Sequence, residues 1–338
     1  MRFIITGGGT GGHLVIARAL LEALKKRGHE AQFIGSISGQ DQQWFGGKSD
    51  FEQTHFMKTT GVVNKKGFKK LLALWQIFLA FLRSRTLIKR YKADAVISVG
   101  GFSAAPASFA ALSLRKPLFI HEQNAVEGRL NRMLKPYAKA FFSSYDKDSP
   151  LKGYPVSSAL FEKARLRKEV KTVIFLGGSQ GAQFLNDLAM RLVPELKNRS
   201  IHVIHQCGER DFERVKAFYD DEGYAVELYS FTKELPSLMN RSDFAISRAG
   251  ASTLWELCAN GLPAFYIPYP YAAGDHQYHN AQFIVQHALS WCERESAIDD
   301  DVILSLIDQD MEEKSRGLMA LSEENAAKNM IKMIEEMV

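Results

Sequence analysis

Short apolar runs alternate with amphipathic stretches along the chain. Phe3-Ile4-Ile5 stops at a glycine cluster, and apolar residues then recur at Leu14, Ala17, Leu20, Leu21 and Leu24. That spacing predicts a helix over residues 13–26 with one buried face. Lys25, Lys26, Arg27 and then Gly28 close it, because cations and a following glycine suit a helix C-terminus. Residues 31–34, 95–99 and 118–120 read as further strands, the second ending in Gly100-Gly101. The order strand, glycine turn, helix, strand predicts a parallel α/β sheet. At residues 172–176 the pattern restarts. That run enters Gly177-Gly178-Ser179-Gln180-Gly181, a helical segment follows over 182–193, and strands recur at 201–205, 226–229, 244–246 and 264–267.

Two similar α/β domains in tandem are therefore expected. The boundary is placed in the polar, proline-containing stretch 149–167, giving domains 1–157 and 158–338. The acidic tail is read as helical, with Ile331, Ile334 and Met337 on one stripe; the last helix is allowed to pack back on the first domain. With 46% hydrophobic and 24% charged residues over 338 positions, general disorder is excluded. Three cysteines, Cys207, Cys258 and Cys292, are too few and too scattered for a disulfide framework or a zinc site.

Charge changes the picture at one place. The net charge is +5, yet residues 53–93 hold ten Lys or Arg and no Asp or Glu, so the remainder carries −5. Such a local field implies an anionic partner at one surface rather than general affinity for nucleic acid. Inside this stretch, residues 71–82 are apolar at eleven of twelve positions, with Trp75 and Phe78 among them, lysines before and arginines after. That composition fits a helix lying at an anionic membrane surface; a buried core helix with basic ends has the same look. No stretch reaches the roughly 20 apolar residues needed to span a bilayer, and the apolar run at residues 3–5 is shorter than a signal-peptide core. A cytoplasmic protein, attached peripherally to the membrane, is expected.

The candidate chemistry begins in the glycine loops. Gly7, Gly9 and Gly12 can be read as G-x-G-x-x-G, which lets a backbone approach a diphosphate at a helix start. A dinucleotide site also wants an acid ending the second strand, and none occurs before Asp41. A phosphate-binding P-loop fails because His13 stands where its lysine would be. An unliganded strand-to-helix turn has the same local pattern, but matched loops in both halves favour a phosphate-bearing ligand. In the second half, residues 248–256 (RAGASTLWE) place small and hydroxyl residues at a helix start beside Arg248. That is a natural diphosphate cradle, or a plain N-cap with Glu256 satisfying backbone groups. His276 and Gln277 follow a long loop after a strand; each also reads as a surface residue or cap.

Taken together, GGGTGGH (7–13), SVGGF (98–102), HEQN (121–124), GGSQG (177–181), RAGASTLWE (248–256), GLP (261–263) and DHQ..NA (275–281) resemble the MurG family of peptidoglycan glycosyltransferases, in glycosyltransferase family 28. The resemblance runs over nearly the whole chain. It implies the GT-B architecture, two Rossmann-like domains with parallel sheets facing across a cleft. It also implies inverting transfer of GlcNAc from UDP-GlcNAc to the C4 hydroxyl of the muramoyl sugar of lipid I, with no cofactor or bound metal. By motif, Thr232 would flank the uracil. Ser179, Arg248, Ala251, Ser252, Thr253, Leu254 and Glu256 would hold diphosphate and ribose, and Gln277 the sugar hydroxyls. Thr10, Gly11, Gly12 and Asn124 would face the cleft from the other domain as substrate-binding residues. His13 is the expected general base and Glu122 its alternative; a structural cap is the plainer role for His13. His121 is expected to orient its loop. The resemblance places the protein on the cytoplasmic face of the inner membrane, with cell-wall and division proteins as neighbours.

The chain departs from the family at Ser157, where an arginine that would contact the donor is usual, and at residues 103–108 after the Gly-Gly-Phe string. Other UDP-sugar transferases acting on a lipid acceptor share this architecture. A nicotinamide oxidoreductase is disfavoured by the missing acid and the duplicated domain, and a non-catalytic scaffold by the intact loops at 7–13 and 248–256.

Overall fold

A computed structural model describes residues 1–47, 50–61, 66–178, 181–232 and 234–338. Ser179, expected at the diphosphate, and Lys65 of the basic run lie outside the described residues. The chain divides into two compact units, Met1–Val156 with Asn325–Val338, and Ser157–Glu324.

The first unit runs β1 (Arg2–Thr6), α1 (Gly11–Lys26), β2 (Glu30–Ser36), α2 (Asp41–Phe45), β3 (Gln53–Met57), α3 (Gly67–Tyr91), β4 (Ala95–Ser98), α4 (Ala105–Ser113), β5 (Leu118–Glu122), α5 (Arg129–Leu134) and β6 (Ala140–Ser143). The second runs α6 (Ser158–Glu162), β7 (Thr172–Leu176), α7 (Gln183–Asn198), β8 (His202–Gln206), α8 (Phe212–Asp221), β9 (Glu227–Tyr229), α9 (Leu235–Arg241), β10 (Phe244–Ser247), α10 (Ala251–Ala259), β11 (Ala264–Tyr266), α11 (His276–Gln286), β12 (Trp291–Cys292), α12 (Asp300–Ile307) and α13 (Glu312–Leu321). A last helix, α14 (Ala326–Met337), belongs to the first unit. It packs on α1, where Glu335 takes hydrogen bonds from Arg27 and His29.

Each sheet is six-stranded and parallel. The first has the order β3-β2-β1-β4-β5-β6, the second β12-β11-β10-β7-β8-β9. Counted from its own first strand, each unit has the same doubly wound order, which reverses between its first and fourth strands. A crevice therefore opens at the carboxyl ends of β1 and β4, and again at those of β7 and β10, where ligands of such sheets bind. The central strands are buried on both faces, as helix-covered parallel sheets require: Phe3, Ile4, Ile5 and Val96 in one unit, and Val173, Ile174, Phe175 and Phe244 in the other, have no exposed surface.

One expectation is corrected. The apolar run of residues 71–82 is only the middle of a 25-residue helix, α3, which by length and composition is able to cross a membrane. Within the first unit it is instead the crossover between β3 and β4. Ala73, Ala80, Ser84, Ile88 and Tyr91 are its buried stripe, and it packs along α4. Eight large apolar side chains, Phe68, Leu71, Leu72, Leu74, Trp75, Phe78, Leu79 and Leu82, remain exposed.

Candidate active site

In the first unit the site grows from the β1–α1 turn. Gly8 donates its N–H to the Gly100 carbonyl (3.0 Å), stitching the glycine loops after β1 and β4 together. A side chain at Gly8 would strike the Asp41 carboxylate, and one at Gly101 the Gly8 carbonyl; both residues have positive φ. Asp41 opens α2, is fully buried, and accepts N–H bonds from Gly9 and Ser36, the latter at 2.8 Å. Burial pushes its pKa up against the pull of those N–H groups. The acid missing from the end of β2 is therefore present a few residues later, turned into the glycine loop rather than toward a ribose.

His13 lies in the first turn of α1. Its Nδ1 is 2.9 Å from the Thr10 hydroxyl and its Nε2 is 2.8 Å from the Gln123 amide nitrogen. Glu122, at the end of β5, is only 3% exposed. Its carboxylate accepts from Asn124 N–H (3.0 Å), Gly128 N–H (2.9 Å) and Asn131 Nδ2 (2.8 Å). All three donors come from the segment after β5, so this geometry makes Glu122 a brace for that segment. His121 is buried edge-on against Tyr154 at 5.4 Å. Burial and the nearby His13 lower its pKa to about 3, so it is neutral. Thr10, Gly11, Gly12, His13, Glu122 and Asn124 are thus gathered at the ends of β1 and β5.

In the second unit the site centres on α10. Gly250 caps this helix without a side-chain hydrogen bond. The first-turn N–H groups, those of Ala251, Ser252 and Thr253, lie outside the helix's own ladder and carry its positive dipole end. The Leu254 N–H bonds the Gly250 carbonyl at 2.9 Å, and its side chain is fully buried. Glu256 sits one turn further on, where burial raises its carboxyl to about 7.

Arg248 differs from expectation. Its guanidinium pairs with Glu295 at 2.6 Å, donates to the carbonyls of Ile267 (3.1 Å) and Pro268 (3.3 Å), and lies over Tyr269. It ties the loop after β11 to the end of β10, and a diphosphate reaches it only in competition with Glu295. Gln277 accepts from the Tyr269 N–H (2.9 Å), and Asn280 donates to the Ala249 carbonyl (3.2 Å), so α11 braces both the loop after β11 and the turn after β10. Thr232 is half-buried before α9 and accepts the Glu234 N–H at 2.9 Å. Ser157, at the position of the family arginine, is the N-cap residue of α6.

Sequence reading passed over Gln123, Asn131 and Glu295. Gln123 was inside the 121–124 string, and that adjacency was its only signal. Nothing local marked the other two.

These paired Rossmann-like units, each with glycine-rich turns at its switch point, define a two-domain α/β protein of the GT-B class. Residues 3–143 match the glycosyltransferase family 28 N-terminal domain and residues 172–337 its C-terminal domain. The chain belongs to glycosyltransferase family 28. It is 58% identical over 331 residues, 98% of this chain and 97% of the relative, to the UDP-N-acetylglucosamine--N-acetylmuramyl-(pentapeptide) pyrophosphoryl-undecaprenol N-acetylglucosamine transferase of Sulfurimonas denitrificans. It is 51% identical to the protein of the same name from Sulfurovum sp., over 99% of this chain and 98% of that one. Among solved structures, Acinetobacter baumannii MurG superposes with a TM-score of 0.79 at 26% identity, covering 99% of both chains.

Proposed function

We propose that this chain transfers N-acetylglucosamine from UDP-GlcNAc to the C4 hydroxyl of the muramoyl sugar of lipid I, inverting the anomeric centre to give lipid II. The observation that carries this reading is the full-length identity to transferases named for that reaction, on a chain that keeps the loops at 7–13 and 248–256. His13 takes the acceptor proton. The N-terminus of α10 stabilises the charge that grows on the departing UDP, and Glu256 receives the ribose hydroxyls. Transfer of labelled GlcNAc to a lipid I analogue is the test. Product formation is expected. Transfer only to a different lipid acceptor, or NADH binding without UDP binding, would replace this reading.

The raised carboxyl of Glu256 gives donor binding a pH dependence. Ribose hydroxyls donate best to the ionised carboxylate, and the diphosphate diester of UDP-GlcNAc does not itself titrate near neutrality. With a group at about 7 that binds only when ionised, Kd should rise about fivefold from pH 7 to pH 6. Calorimetric titration checks this, and Glu256→Gln should bind more weakly with a flat profile. A wild-type Kd independent of pH over that range would remove the role.

The exposed apolar face of α3 supports attachment to the cytoplasmic face of the membrane, where a soluble nucleotide-sugar and a lipid-linked acceptor meet. Monomeric proteins rarely expose so many large apolar side chains together. Lys66, Lys69 and Lys70 sit at the start of the helix and Arg83, Arg85, Lys89 and Arg90 along its second half, a pattern suited to anionic lipid. Each basic group near such a surface contributes about 1 kcal/mol. The double variant Lys69→Ala, Lys70→Ala should therefore bind anionic vesicles about 30-fold more weakly at low salt. Co-sedimentation reads this directly, and unchanged binding would count against the surface.

A further inference from the structure

We propose that Gln123 is the positioning residue of the catalytic base: its amide oxygen holds the Nε2–H of His13, keeps the lone pair on Nδ1, and supports the imidazolium formed when Nδ1 takes the acceptor proton. The inference rests on His13 being the base.

The geometry is specific. The Gln123 amide lies 2.8 Å from Nε2, and Nδ1 faces the Thr10 hydroxyl at 2.9 Å on the more exposed side. A half-turn of the terminal amide exchanges its oxygen and nitrogen in the same space, so hydrogen-bond chemistry decides which end meets the ring. A histidine that has accepted a proton is a donor at both nitrogens. Only the oxygen end of Gln123 serves the ring both before and after proton transfer; the amino end would oppose an N–H at hydrogen-bonding distance.

The support is rigid. Gln123 is 7% exposed. Its neighbour Glu122 is clamped by Asn124, Gly128 and Asn131. The His13 ring lies against bare backbone at Gly100, where φ is +86° and a Cβ would come within 3.4 Å of Cδ2 and Nε2 and 3.1 Å of Asn131 Nδ2. The other titratable groups near the ring are His121, buried and neutral, Glu122, held by its three donors, and Asp41 behind Gly9. The hydrogen bonds of Glu122 and Asp41 go to other partners than Nε2, the position Gln123 takes.

The step balances as follows. The acceptor O–H proton moves to Nδ1, and the oxygen pair forms the new bond to the anomeric carbon. The bond from that carbon to the diphosphate breaks, and its electron pair leaves with UDP. The Nε2–H stays on the Gln123 oxygen throughout, and the Nδ1 proton passes to solvent after release.

The test is the pH profile of kcat/KM for the full chain with Gln123→Leu, Gln123→Glu and His13→Ala. In Gln123→Leu the imidazolium loses its acceptor, so kcat should fall about 10–100-fold and the acid limb move down by about one pH unit. In Gln123→Glu a carboxylate replaces the amide oxygen, so the limb should move up by about one unit or more, with kcat at high pH kept within about tenfold of wild type. KM for UDP-GlcNAc should hold within about twofold in both. Opposite shifts from one position are not produced by loosened packing. Equal losses in both variants with the limb in place would overturn the inference. An active His13→Ala would overturn the base assignment instead, so the two failures are distinguishable.

Discussion

Replacing His13 by alanine is expected to lower kcat by about 10²–10⁴-fold, the usual contribution of a positioned general base, while leaving the affinity for UDP-GlcNAc within about twofold. The reason for the split lies in the fold. His13 belongs to the first unit, at the start of α1, whereas the N-terminal end of α10 and Glu256 belong to the second. The loop beneath His13 is fastened independently by Asp41 and by the Gly8–Gly100 bond, so losing the imidazole should not unfold it. Asn is the sharper replacement. It fills much of the same space and still hydrogen-bonds, yet cannot carry a proton, so His13→Asn should fall as far as His13→Ala. Steady-state rates at saturating donor, with calorimetry for the donor, measure both quantities. A His13→Ala enzyme within tenfold of wild type would transfer the proton-accepting task elsewhere.

The largest stability effect is expected at Arg167, in the segment that leads into β7. Its side chain has no exposed surface, and its guanidinium donates to carbonyl oxygens. It donates to the carbonyls of Met239 (3.0 Å), Ser242 (3.2 Å), Arg165 (2.6 Å) and Asn260, and to Asn260 Oδ1 (2.5 Å). Met239 and Ser242 close α9, and Asn260 closes α10. The charge therefore sits where two helices end, on their unpaired carbonyls and negative dipole ends. Asn260 in turn donates to the carbonyls of Leu160 and Lys163. One guanidinium thus bolts the segment before β7, within the second unit, to the helix whose other end is the proposed diphosphate cradle.

Arg167→Met keeps the bulk and removes every donor. Stranding several buried carbonyls, each costing about 1–3 kcal/mol, should lower stability by about 3–5 kcal/mol in all. Arg167→Lys, with a point charge that cannot span both helix ends, should fall between. Urea unfolding of the three proteins is the measurement. A Met variant within about 1 kcal/mol of wild type would mean that water replaces the lost donors.

Much of the architecture is readable along the chain because its signals are local. A strand stopping at glycines and running into a helix at 3.6-residue spacing reports itself within about 25 residues, and it does so twice, at residues 3–26 and 172–193. Elements with weaker signals were passed over. β3 is half-exposed at a sheet edge, β6 is four residues long, and β12 is two. The helical segment expected over 182–193 runs on through Pro194 to Asn198.

The site divides along the same line. That the loops at 7–13 and 248–256 carry chemistry follows from their residue types. What each side chain does there depends on partners far away. Asp41 reaches Gly9 across 32 positions, Gln123 reaches His13 across 110, and Arg167 reaches Asn260 across 93. Helical facing decides smaller matters: Leu254 and Thr253 are neighbours in the chain, but only Leu254 turns fully into the core. The apolar run in α3 reads identically as core or as surface until packing against α4 shows which stripe is covered. By itself, then, the sequence determined a duplicated α/β protein with phosphate-type loops and a transferase's set of short strings, since hydrophobic period and turn chemistry act between near neighbours. Tertiary structure alone decided which acid supports the loop, which amide serves the base, which arginine is buried and which helix face stays bare, because hydrogen-bond partners and burial are set only when distant segments meet.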